Sequence, residues 1–176
     1  MTDQTVLRVA DLAQNAPTGF DLQPDDATLK ALAGALGLAD LRKLRFAGQI
    51  AAHGRHDWEL TGRLGATVVQ PCVVTLEPVT TRIETDVSRL YLAEFEEPAE
   101  TEAEMPEDDR IEALGRVIDL AAVMAEALSL ALPQYPRKDE VELGEAVFTE
   151  SGKAPMRDED ARPFAGLAGL RDKLKD

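Results

Sequence analysis

From Leu41 onward the apolar residues recur at every second position, and this change of period constrains the fold more than any other feature of the chain. Leu44, Phe46, Gly48 and Ile50 fall on one face, with Arg45, Ala47 and Gln49 on the other. A two-residue period places successive side chains on opposite faces of a strand. After the turn sequence HGRHD, Trp58, Leu60, Gly62, Leu64, Ala66 and Val68 alternate with Glu59, Thr61, Arg63, Gly65 and Thr67. Pro71 interrupts the ladder because it has no N–H to give. Residues 73–76 are expected to resume the strand before Glu77-Pro78 turns the chain. Residues 82–92 read as the next strand, with Ile83, Val87 and Tyr91 on one side. Consecutive strands with close connections pair antiparallel. The expected fold is therefore α+β: an antiparallel β-meander, or a partial barrel if the sheet curls, flanked by helices and carrying an acidic insertion.

The flanking elements follow a different period. Residues 6–12 alternate loosely and read as a short strand. In DDATLKALAGALGL, Leu29, Leu32, Ala33 and Leu36 share one face of a helix over 26–36. Asp25 or Asp26 is placed to cap its first turn, and Gly37 to end it in the left-handed conformation. In VIDLAAVMAEALSLALPQYP, Leu120, Val123, Met124, Ala127, Leu128 and Ala131 form a broad apolar stripe. Asp119 is its expected N-cap and Pro133 its stop, giving a helix over 120–132 that covers the sheet. Between strand and helix, ten of the nineteen residues 94–112 are Asp or Glu and only Arg110 is basic. Self-repulsion and scarce apolar surface make this segment an acidic loop. Phe164, Leu167, Leu170 and Leu174 are spaced for a terminal helix. The expected organisation is a single α+β domain over 1–136, with the acidic loop 94–112 inserted, and a C-terminal tail over 137–176.

The formal net charge of −14 repels nucleic acid and anionic membranes at long range and attracts basic proteins. No basic region followed by an apolar run opens the chain, and no stretch approaches the roughly 18 apolar residues of a membrane helix, so a cytoplasmic location is expected. One cysteine excludes an internal disulfide and a multi-cysteine zinc site. Phosphate-loop, dinucleotide-binding and nucleophile-elbow motifs are absent from the sequence. His53, His56 and Asp57 offer two imidazoles and a carboxylate, but at a spacing that does not demand a metal. No metal, cofactor or catalytic residue is expected. Cys72 sits among valines without a nearby histidine, which suggests a buried core thiol with a raised pKa. Against the global charge, Arg42, Lys43, Arg45, Arg55 and Arg63 cluster with only Asp57 and Glu59 between them. Arg82 and Arg89 lie on the next strand.

The order of these parts resembles the YceD family of large ribosomal RNA subunit accumulation proteins. WELTGRLGATVVQPCVVTLEPV is similar to the family's strand leading into a Cys-x-x-Cys turn. VIDLAAVMAEALSLALPQYP is similar to its Asp-Leu, Glu, Leu-x-Leu-Pro helix, and RPFAGLAGL to its C-terminal Pro-Phe, Leu-x-x-Leu tail. The likeness runs from about Leu41 to Leu170. Thr75 stands where many relatives have a second cysteine, and PQYPRKDEVE lacks the pair that relatives often carry after the long helix. Cys72 and Thr75 thus mark a degenerate family turn, and zinc binding does not transfer.

The resemblance implies a bacterial role in large-subunit biogenesis and 23S rRNA accumulation, and with no catalytic motif and a strongly acidic chain a non-enzymatic factor is expected. The expected partner is a basic large-subunit ribosomal protein or a pre-ribosomal particle, held by Glu96, Glu97, Glu100, Glu102 and Glu104. One alternative is weak direct rRNA contact through Arg42, Lys43, Arg45, Arg55 and Arg63, with Trp58 or His56 stacking on bases. Others are a small-molecule-binding barrel or a hydrolase built on His53 and His56.

Overall fold

The computed structural model describes residues 5–95, 108 and 110–138. Among the described residues, seven strands and two α-helices follow one another: β1 (Val6–Arg8), β2 (Thr18–Leu22), α1 (Asp26–Ala35), β3 (Asp40–His53), β4 (Asp57–Pro71), β5 (Pro78–Leu92), β6 (Ile111–Ala113), β7 (Val117–Asp119) and α2 (Leu120–Ala131). Strands β2 to β6 form one sheet in sequence order, and β1 pairs antiparallel with β7 in a second, two-stranded sheet. The main sheet is an antiparallel meander through β5, while β6 joins its edge in parallel. The sheet is open, a meander that does not close into a barrel.

The long strands arise where the two-residue alternation is longest. Phe46, Ile50, Leu60, Leu64, Ala66 and Val68 are fully buried, joined by Ile83, Val87 and Tyr91 from β5. Burying each large side chain is worth roughly 1.5–3 kcal/mol, which is what holds this face against solvent. Gly48 lies opposite Gly62 across β3 and β4. A Cβ on Gly48 would sit 2.1 Å from the Thr61 carbonyl oxygen and 2.5 Å from the Gly62 Cα. The missing side chains leave room for Phe20 and Phe46, whose ring centroids lie 4.9 Å apart.

The helices begin where their caps place them. The Asp25 side chain accepts from the Thr28 amide at 2.8 Å, and the Asp119 carboxylate accepts from the Ala121 and Ala122 amides. Helix α2 is the more apolar and buries Leu120, Val123, Met124, Ala127 and Leu128. It thus has the covering role its stripe predicts.

Three expectations need correction. Residues 73–76 do not resume a strand: 73–75 form a turn, and Leu76 has a φ of 61° that no strand accommodates. The strand expected over 6–12 ends at Arg8, because Val9–Asp11 closes into a short 3-10 turn. The acidic segment placed over 94–112 yields its last two residues to β6, where Ile111 lies beside Leu90 and Glu112 beside Tyr91. Strand β2 adds an element that the Pro17, Gly19 and Pro24 punctuation concealed. The terminal helix expected around Phe164 to Leu174 lies outside the described residues, as does most of the tail.

Candidate functional site

The basic residues expected to act together are split by the fold. Arg45 and Arg63 share the solvent face of the sheet with Arg82, lining with Ala47, Gly65 and Glu84 a shallow cleft of about 290 Å³. Arg42 and Lys43 lie at an irregularity of β3, where the register with β4 shifts between Arg42 and Arg45 and Lys43 takes a φ of 53°. Arg55 lies at the opposite end of the same hairpin, in the turn between β3 and β4. Arg89 points to the other face, where its guanidinium meets Glu112 at 2.9 Å and Glu126 at 3.3 Å.

Acidic partners occupy much of this cationic set. Arg45 makes a two-pronged contact with Asp21 at 2.8 and 2.6 Å, and that hydrogen bond holds the Asp21 carboxyl below the usual range. Glu84 receives Arg82 at 2.8 Å and Arg63 at 3.2 Å, with Arg82 the main cause of its lowered pKa. Arg42 pairs with Asp40 at 2.9 Å. Trp58 is only 2% exposed, so the stacking role expected of it is withdrawn: its alternation with Leu60 sends the ring into the core. His53 and His56 are exposed at the hairpin turn, while the Asp57 carboxylate accepts from the Ala93 amide at 2.9 Å. Among the described residues no three His, Cys, Asp or Glu side chains converge as a metal site would require. Glu96, Glu97, Glu100, Glu102 and Glu104 lie outside the described residues. Just beyond them, Arg110 clamps Asp108 at 2.7 Å and lowers that carboxyl to about 2.

The turn after β4 is the most organised polar feature. The Cys72 amide donates to the Glu77 carbonyl at 2.7 Å and the Leu76 amide to the Cys72 carbonyl at 2.9 Å. The turn is pinned from far along the chain. Val73 donates its amide to the Pro136 carbonyl at 3.0 Å, Lys138 Nζ reaches Glu77 Oε2 at 2.7 Å, and Gln70 Nε2 donates to the Pro133 carbonyl at 3.3 Å. The thiol feels the Thr75 hydroxyl most strongly, then the backbone N–H groups of Thr75, Lys138 and Val74. They bring the Cys72 thiol down from 9.0 to about 6. The raised pKa expected from valine neighbours is therefore wrong. Cys72 is buried as expected, but the Thr75 hydroxyl and neighbouring amides favour the thiolate over the thiol.

Sequence reasoning paired Cys72 with Thr75 but missed Pro136, Lys138 and Glu77, since no local pattern marks a contact 61 positions away. Residues 60–171 match the family described as large ribosomal RNA subunit accumulation protein YceD, a span of more than half the chain. The chain belongs to this family. The YceD match begins inside β4, runs through the Cys72 turn and α2, and continues beyond the described residues; the resemblance read from the sequence had begun earlier, near Leu41. In this YceD protein the segment just after the long helix is the one that meets the Cys72 turn. No curated protein and no solved structure matches the chain.

Proposed function

We propose that the protein supports large ribosomal subunit biogenesis by binding, without catalysis, and that its acidic segment takes up a basic large-subunit ribosomal protein. A net charge of −14, with ten acidic residues within 94–112, in a family described by large-subunit rRNA accumulation, carries this reading. A dense run of carboxylates imitates the phosphate field that such a partner meets on rRNA. It attracts the partner rapidly and yields it when rRNA competes. The flanks of the segment, Leu92 and Ile111, belong to neighbouring strands, so the sheet anchors it at both ends. On this reading residues 1–136 are the working domain, 137–176 an appended tail, and the cytoplasm the place of action. The family description names accumulation of an RNA subunit and no reaction. Among the described residues, no helix is long and apolar enough to cross a membrane.

Direct rRNA contact is the weaker reading, because Arg45 and Arg63 already face Asp21 and Glu84 and Trp58 is not available to stack. A small-molecule site in a barrel mouth loses its basis in an open sheet. The test is a titration of the full chain with individual basic large-subunit proteins and with 23S fragments, at low and high salt. Replacing Glu96, Glu97, Glu100, Glu102 and Glu104 by Gln is expected to weaken protein binding by at least about tenfold at low salt and to flatten its salt dependence. Unchanged affinity in this variant removes the proposal. A shift of 23S fragments that survives the substitutions would favour the arginine face instead.

A further inference from the structure

The outer edge of β5 has backbone groups to offer. Strand β6 covers only Leu90–Leu92, and among the described residues nothing pairs with β5 on that side from Val79 to Arg89. The direction of those groups is fixed at the covered end. Leu90 donates its amide to the Arg110 carbonyl and the Leu92 carbonyl accepts from the Leu114 amide, so both residues face β6. Register with β4 runs unbroken from Pro78 to Tyr91, so the alternation carries back along the strand. Thr80, Arg82, Glu84 and Asp86 therefore aim their N–H and C=O groups outward from the edge. Such an edge is a template for another strand unless something blocks it.

Which strand it fits is written in its own sequence, VTTRIETDV over 79–87. Set antiparallel to itself about Ile83, this stretch matches at every position. Val79 meets Val87, Thr81 meets Thr85, and Ile83 meets its own copy. On the solvent face Arg82 meets Glu84, and Thr80 meets Asp86. Charges on an edge strand normally repel a neighbour, but here Arg82 falls opposite Glu84, and Asp86 opposite the uncharged Thr80. The register is compatible with the hydrogen-bonding parity, since Thr80–Asp86 and Arg82–Glu84 join outward-facing residues and Ile83 lies on the two-fold axis as a non-bonded pair. Moving the register by the next allowed step would place Glu84 against Glu84. The edge also borders an open cleft of about 330 Å³ between β5 and α2, over which Leu130 stands 75% exposed.

We propose that two copies of this chain associate through antiparallel pairing of their β5 edges, centred on Ile83, to form a continuous sheet. Pairing supplies roughly eight backbone hydrogen bonds and two symmetric Arg82–Glu84 contacts across the axis. The proposal is independent of the acidic-segment reading, and neither its success nor its failure decides that one.

The test is sedimentation velocity of the full chain over a concentration series, with cysteine capture to read the register. The natural chain is expected to form a concentration-dependent dimer. Thr80→Pro removes an outward N–H that the fold itself does not use, so the monomer should keep its fold while the dimer dissociation constant rises at least about tenfold. Arg82→Glu should dissociate the dimer, and adding Glu84→Arg should restore it. Ile83→Cys, opposite itself, should form a disulfide-linked dimer under mild oxidation, whereas Thr81→Cys, facing Thr85, should not. Buried Cys72 in the natural chain is the control for stray cross-linking. A monomer at every concentration, a dimer indifferent to Thr80→Pro, or cross-linking at 81 rather than 83 would each overturn the proposal.

Discussion

The two turns that bracket β4 do the same topological task by different means. The turn from β3 to β4 closes locally: His53 faces Asp57 across the ladder, Gly54 supplies a φ of 66°, and the Asp57 carboxylate reaches no farther than Ala93 at the end of the neighbouring strand. The turn from β4 to β5 closes on a sulfur and on residues 133–138, with a leucine rather than a glycine in the left-handed conformation. The first is a hairpin that its own residues specify. The second is a junction that combines local hydrogen bonds with bonds to the chain beyond α2. In this chain the Thr75 hydroxyl and the backbone amides of Thr75, Lys138 and Val74 act on the one thiol at that junction.

The largest effect is expected at the locally closed end, through the core beneath it. Trp58 pairs with Ala52 one step inside the turn and is almost wholly buried. Trp58→Ala should cost about 3–5 kcal/mol of unfolding free energy, read as a fall in the urea midpoint. A loss below about 1 kcal/mol would mean that the ring is solvated after all and would reopen the stacking role withdrawn above.

A smaller effect, of a different kind, belongs to the far end. The folded-state pKa of Cys72 lies below its ordinary value, so the thiolate is the form that the fold favours. This contribution to stability is fully present above the unfolded value of 9.0, shrinks as pH falls, and is lost below about 6. Over that window the urea midpoint of the natural chain should carry a component that rises with pH. Cys72→Ser, whose hydroxyl does not titrate there, should remove that component, and ultraviolet absorbance of the thiolate should show a midpoint near 6. A thiolate midpoint near 9.0 instead would show that the amides and the Thr75 hydroxyl do not close on the sulfur.

The same contrast separates what the sequence displays from what it conceals. Residues from Leu44 to Val68 and from Ile83 to Tyr91 announce their faces because one side is buried and the other wet, which is the condition under which a period of two survives selection of each residue type. The caps Asp25 and Asp119 are legible because they act on amides two or three positions away. Trp58 was legible as well, since its alternation with Leu60 already placed it inward. What could not be read depends on distant contacts. Strand β6 is three residues of mixed character whose pairing with β5 is parallel and follows the acidic segment. Residues 73–76 have strand-like composition, yet the Val73 amide goes to Pro136 and the Leu76 amide folds back to Cys72. The donors that tune Cys72 include the backbone of Lys138, which no spacing rule links to it.

The smallest effect sets the left-handed residues of these two turns directly against each other. Gly54 and Leu76 hold nearly the same φ, 66° and 61°, in the two turns. For an L-residue that conformation costs roughly 1–2 kcal/mol, and for glycine almost nothing, although glycine loses more backbone freedom on folding. Leu76 is 78% exposed, so its side chain returns little by burial. Leu76→Gly should therefore stabilise the protein by about 0.5–1 kcal/mol, while Gly54→Ala should destabilise it by about 1 kcal/mol, both read from urea midpoints at constant slope. If Leu76→Gly destabilises instead, the exposed leucine is making a contact in solution that the described residues do not provide. The junction at Cys72 would then be a surface that something else covers.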